Sequence, residues 1–173
     1  GPEPDPNNMN NITYNFDLIP SGGRPGHKQG WYIGGNITSI TALASGALEV
    51  KPLSTSGDPY FCVNPQYFNP TEYKYVVVRK SITGFEHNNP EGWQFFGFPG
   101  TGGSLVYKNN YFYPNVGYQY ILLDMSTRLG GDSTWVGNSG TINEYRIDPS
   151  TTPTAATFNY DLVSLINNPA SWA

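Results

Sequence analysis

Nowhere in these 173 residues do apolar side chains recur at helical spacing for three turns. Short runs of β-branched and aromatic residues alternate instead with Gly, Pro and Asn clusters, the chain carrying 20 Gly and 15 Pro. Such punctuation restricts the chain to an all-β fold, a sandwich or barrel of short strands. Strands are expected over Ile12–Ile19, Asn36–Leu43, Ala47–Pro52, Tyr60–Val63, Glu72–Lys80, Gly92–Phe98, Ser104–Lys108, Gly117–Met125, Thr141–Asp148 and Ala156–Ile166. These suffice for two packed antiparallel sheets, a β-sandwich of the jelly-roll kind.

The period-two rule assigns faces within several of these runs. In "EYKYVVVRK", Tyr73, Tyr75, Val77 and Arg79 share one side, with Lys74, Val76, Val78 and Lys80 on the other. Neither side is purely apolar, which predicts a central strand with one face in the core and one in a groove. "GWQFFGFPG" divides into Trp93, Phe95 and Gly97 against Gln94, Phe96 and Phe98, so aromatic rings fall on both faces. In "EYRIDPS", Glu144, Arg146 and Asp148 share the face opposite Tyr145 and Ile147, and Pro149 ends the strand because it cannot donate a ladder hydrogen bond. Four stretches read as long loops: residues 20–35, 81–93, 107–118 and 126–140.

Composition excludes several classes of function. Charged residues make up 13% of the chain, about half the usual share, and the formal charge of −4 offers no basic stripe for nucleic acid. No apolar run approaches the ~20 residues of a membrane-spanning helix, so no membrane partner is expected. The single Cys62 precludes an internal disulfide. Nucleophile-elbow, Walker-type, H-E-x-x-H and C-x-x-C patterns are absent, and His27 and His87 stand alone in loops, so no enzyme activity is expected. Residues 1–11 read as a tag remnant and linker, 12–168 as the sandwich and 169–173 as a tail. Low charge with many Asn and Tyr suits an extracellular or virion-surface setting.

Five features stand in order over roughly residues 46 to 165. They are Asp58-Pro59, Tyr73 followed by Val78-Arg79, Asp124-Met125 ahead of Trp135-Val136-Gly137, Arg146-Ile147-Asp148-Pro149, and Tyr160-Asp161 with Val163. Together they resemble the jelly-roll carbohydrate-binding modules of the family 4/9 and 16/22 type, with their galactose-binding-like sandwich. The resemblance implies a non-catalytic module anchoring a larger protein to a poly- or oligosaccharide. That protein, carrying the parent's other domains, would be a polysaccharide-degrading enzyme or a phage adhesion or structural protein. It further implies one structural Ca²⁺, with Asp17 and Asp161 as the matching carboxylates and Glu49, or backbone carbonyls of residues 20–30, completing the shell. The Arg146–Asp148 strand would be a structural landmark held by an internal polar network, a role favoured here over ligand contact.

A sugar ring presents a C–H face and a rim of hydroxyls, so its site needs exposed aromatic rings beside amide, carboxylate or guanidinium groups. By that rule the candidate carbohydrate-binding residues are Glu91, Trp93, Gln94, Tyr107, Asn109, Tyr111, Tyr113, Trp31 and Arg79. Trp31 and Trp135 also coincide with landmark tryptophans of the resembling modules, where they serve the core. The alternative is a structural sandwich of a virion or cell-surface protein, whose exposed Tyr and Phe would form protein–protein contacts.

Overall fold

The structure is a computed structural model that describes residues 1, 12–17, 28–64, 73–99, 106–125 and 142–166. All ten expected segments overlap a strand, although β-structure runs past the expected ends at Lys80 and Lys108, and an eleventh strand arises at Tyr32–Gly35, inside the stretch read as the first long loop. In chain order they are β1 (Ile12–Tyr14), β2 (Tyr32–Gly35), β3 (Ile37–Ala42), β4 (Leu48–Pro52), β5 (Tyr60–Val63) and β6 (Tyr75–Thr83). There follow β7 (Glu91–Pro99), β8 (Val106–Phe112), β9 (Gln119–Asp124), β10 (Ile142–Asp148) and β11 (Thr157–Ile166). One sheet runs β3-β4-β11-β6-β9, with β1 also paired to β11; the other runs β2-β5-β10-β7-β8. Every pairing is antiparallel. The fold is an all-β sandwich, as the strand periodicity requires.

Between the sheets lies one core, and its aromatic rings interlock edge to face. Trp31 packs on Tyr14 and Phe61 with ring centroids 5.5 and 5.3 Å apart, and Phe61 on Tyr160 at 5.2 Å. Phe112 joins Phe85 and Phe158 at the other end, at 5.6 Å from each. Central β6 sends Val76, Val78, Lys80 and Ile82 inward, all fully buried, and turns Arg79 outward. The pairing of β11 with β6 shifts register between Tyr160 and Leu162, a bulge at Asp161. Beyond the bulge the alternation resets, so Val163 and Leu165 face the core while Leu162 and Ile166 join Val77 in a second, smaller apolar cluster.

Lys80 is the anomaly of this core. Its ammonium nitrogen lies 3.6 Å from the centre of the Trp93 ring, 5.1 Å from Phe112 and 5.5 Å from Tyr160. Among the described residues it makes no hydrogen bond, and burial pulls its pKa well below the usual lysine value.

Candidate functional site

The outward face of the second sheet gathers polar and aromatic residues in register. Antiparallel pairing places Tyr32 opposite Cys62, Cys62 opposite Arg146, and Arg146 opposite Phe96. These four form a row across β2, β5, β10 and β7, roughly 14 Å from end to end at the usual inter-strand spacing. The flanking rows pair Glu144 with Phe98 and Asp148 with Gln94. The Arg146 guanidinium lies between two rings, its carbon 3.9 Å from the centre of Tyr60 and 4.7 Å from that of Phe96. Asp148 accepts from its Nε at 2.7 Å and from its Nη2 at 3.0 Å, and Asp58 accepts from the same Nη2 at 3.3 Å. Phe96 and Phe98 stack nearly parallel, 14° apart. At the far end the Tyr32 hydroxyl donates to Glu144 and Asn64.

Backbone chemistry sets Tyr60 in place. Its ring lies against Gly34 and Gly35, and a Cβ at Gly34 would overlap that ring. A side chain there would push Tyr60 off Arg146. The electrostatics are equally local. Burial, the largest cause, and the nearby Asp58 carboxylate together raise the Asp148 carboxyl to about 6 against the opposing pull of Arg146. Burial, then Glu144, lifts the Cys62 thiol to about 12, so it stays a thiol at neutral pH. The charges of "EYRIDPS" thus build an internal network, as expected, and that network also holds a guanidinium flat within the outward face.

On β7, Gly92 shares this face with Gln94 and Phe96 and leads to a cleft of about 390 Å³ lined by Pro90, Glu91, Trp93, Asn110, Tyr111 and Thr151. Tyr111, 65% exposed, is the open aromatic wall, and Trp93, fully buried, contributes at the base. The Glu91 carboxylate accepts from the Thr152 hydroxyl at 3.2 Å and lies 3.2 Å from His87 Nε2.

The candidates read from sequence therefore divide. Glu91 and Tyr111 meet in the cleft, and Gln94 lies on the adjoining face; Trp93 only backs the cleft, because its ring is fully buried in the core against Lys80 and offers a ligand no surface. Tyr107 and Asn109 pair with Phe96 and Gln94 through their backbones, while their side chains lie outside the described residues. Tyr113 is exposed just beyond β8, where its N–H donates to Gln119 Oε1. Two candidates lie elsewhere. Trp31 is 2% exposed, because Tyr14, Phe16 and Phe61 enclose it as core, and it presents no ring to a ligand. Arg79 belongs to the first sheet, facing away on the other side of the sandwich. Trp135 and His27 lie outside the described residues. Sequence reasoning left Tyr60 unnamed and gave Arg146 a structural role in preference to ligand contact; the signal available was the pairing of an outward Arg with the outward rings of "GWQFFGFPG".

The three candidate calcium carboxylates form no single cluster among the described residues. Glu49 lies 3.8 Å from Lys51, and the Asp161 carboxylate pairs with Arg79. No cluster of three His, Cys, Asp or Glu occurs among the described residues. Asp17 does sit in a cation-holding arrangement: the Gly1 ammonium donates to its Oδ1 at 2.9 Å and to the Gly46 carbonyl at 2.6 Å. The carbonyls of Asn15 and Asp161 crowd the same Gly1, and Asp161 Oδ1 is buried with no hydrogen-bond partner among the described residues. Gly46, at φ 82°, has no room for a Cβ beside Asp17. One carboxylate, three carbonyls and an orphaned carboxylate oxygen are hard oxygen donors of the kind Ca²⁺ takes.

Comparison with known proteins gives the fold its relatives. No protein-family model and no curated protein matches the chain. Among solved structures it is similar to a mutant family 29 carbohydrate-binding module complexed with cellulohexaose, at 8% identity and TM-score 0.58, covering 91% of this chain and 92% of that one. A family 11 carbohydrate-binding module of a cellulosomal cellulase from Clostridium thermocellum matches at 11% identity and TM-score 0.50, covering 80% and 87%. An agarase matches at 8% identity and TM-score 0.57, with 83% of this chain covering 25% of that enzyme. The chain thus has the β-sandwich fold of carbohydrate-binding modules. These structures are of families 29 and 11, so the narrower family 4/9 type rests on the sequence resemblance alone.

Proposed function

We propose that this chain is a non-catalytic glycan-binding module, and that its site is the outward face of the second sheet together with the adjoining cleft. One observation carries the reading: a guanidinium held between two aromatic rings on a sheet face that solvent would otherwise cover. Tyr60 supplies flat surface for the C–H face of a sugar, with the buried Phe96 backing Arg146 from the other side; Gln94, Glu144 and the Arg146 network supply partners for its hydroxyls. A similar family 29 structure is a complex with mannohexaose, at 8% identity and TM-score 0.52, which lends the reading further support. Asp148 is engaged at both oxygens by Arg146, which suits a binding surface better than acid–base chemistry. The module would tether a polysaccharide-degrading enzyme or a phage structural protein to its glycan, outside the cell. A Ca²⁺ held by Asp17 and the Asn15, Gly46 and Asp161 carbonyls would pin the first strand to the last.

Affinity electrophoresis through gels of hydroxyethylcellulose, galactomannan and peptidoglycan fragments tests the reading. A few rings of this kind predict retardation at millimolar to micromolar affinity, about 4 to 8 kcal/mol. Arg146→Ala and Tyr60→Ala should each weaken it at least tenfold, and Tyr111→Ala should weaken it less. A folded protein retarded by no glycan sinks the proposal. For the metal, a chelator should lower Tm, and Asp17→Ala should remove that response.

A further inference from the structure

The first sheet carries aromatic surface of its own on the opposite side of the sandwich. Arg79 on β6 pairs directly with Tyr120 on β9, so both lie on the outward face. Tyr120 is 56% exposed and Tyr118 41% exposed. The Arg79 guanidinium carbon sits 4.4 Å from the centre of the Tyr118 ring and 5.4 Å from that of Tyr120. Its Nη1 is committed to Asp161, and Ser81 hydrogen-bonds the Tyr118 hydroxyl. The Asp161 pair anchors the guanidinium from below and the rings hold it from the side. The fork keeps further N–H donors, because guanidinium has five and one hydrogen bond is made among the described residues.

This arrangement repeats the chemistry of the first face, an immobilised arginine fork beside flat aromatic rings, with the rings here more exposed. We propose that Tyr118, Tyr120 and Arg79 form a second saccharide-binding platform, so that one module joins two glycan chains on its opposite faces. The inference rests on the glycan-binding reading above. The occupant is a polyhydroxylated ring, since the platform offers a C–H-accepting surface and N–H donors aimed at acceptor oxygens. Leu122, exposed on the same strand and paired with Val77, extends the flat surface along the edge. Two sites on one rigid body convert the second binding event on a polymer into an intramolecular one, which strengthens retention with no change in either site.

The test uses the full chain and separates this inference from its parent. Titration calorimetry with cellohexaose and mannohexaose gives stoichiometry, and the three polysaccharide gels give polymer retention. Wild type should bind two hexasaccharides. Tyr120→Ala and the Tyr118→Ala/Tyr120→Ala pair should bind one, with the remaining affinity unchanged and polymer retention weakened at least tenfold. Tyr60→Ala should mirror this by removing the other site. A Tm within about 2 °C of wild type shows that the variants are folded. The inference is overturned if wild type binds a single hexasaccharide, or if Tyr60→Ala alone abolishes all retention. It is also overturned if the β9 variants change only the oligomeric mass in light scattering, which would make the patch a protein contact. Retardation of wild type by no polysaccharide, with no calorimetric binding, overturns both proposals, an outcome distinct from the loss of this one.

Discussion

Replacing Lys80 with methionine should stabilise the protein, although it removes a charged residue from the centre of the fold. The lysine nitrogen is fully buried among Trp93, Phe112 and Tyr160 and has no hydrogen bond among the described residues. An unsatisfied buried donor costs about 1–3 kcal/mol, and a Lys-to-Met exchange of nearly conserved volume costs less than about 1.5 kcal/mol. A second contribution comes from proton linkage. Burial lowers the folded-state pKa, so the unfolded chain binds the proton more readily. Stability from this group is therefore present above its unfolded pKa and is lost as pH falls, with a slope approaching about 1.4 kcal/mol per pH unit. The clean window is pH 7 to 8.5. Below it Asp148 titrates at about 6, and above it the unfolded Cys62 thiol ionises while the folded one is held up to about 12. Urea melts across that window should show wild type gaining stability with pH and Lys80→Met nearly flat. At pH 7 the variant should be ahead by at least about 1 kcal/mol, or roughly 2–4 °C in Tm. A variant that is less stable at pH 7, or that keeps the wild-type slope, would refute the reasoning.

Other perturbations address the site directly. Gly34→Ala should drive a methyl into the Tyr60 ring, costing about 1–3 kcal/mol and weakening glycan retention, read by thermal melts and gel retardation. Asn115, at φ 60°, accepts the Phe85 N–H and donates to the Phe85 carbonyl at 3.1 Å; Asn115→Ala should lose about 2 kcal/mol, measured by urea unfolding. Acidification from pH 7.5 to 5 protonates Asp148 through about 6 and loosens its grip on Arg146, so glycan retention should fall. The fold should survive that change, because a raised carboxyl contributes stability that is present below its ordinary pKa and lost as pH rises through 6. Retention unchanged across that range would separate Arg146 from the ligand.

How much could be read in advance depended on the range of the interaction concerned. Tyr60–Val63 matches β5 residue for residue, since its β-branched and aromatic run is bounded on both sides by turn residues. Tyr32–Gly35 was missed as β2 because two of its four residues are glycine, and only pairing with β5 holds them extended. Asn109 and Asn110 read as loop yet lie within β8, an edge strand whose polar residues need no partner on its open side.

The same division governs the site. Alternation along the chain alone determined that Glu144, Arg146 and Asp148 share a face, that Phe96 and Phe98 share another, and that Arg79 opposes Lys80. Side-chain direction in a strand has a fixed period of two, so these facts are local. Which outward faces would meet was decided only in three dimensions. Register between strands distant in sequence placed Arg146 beside Phe96 and Tyr60, sent Trp31 into the core, and put Arg79 on the far side of the sandwich from Gln94. Cross-strand pairing is set by burial summed over a whole sheet, and no short window of sequence contains that sum.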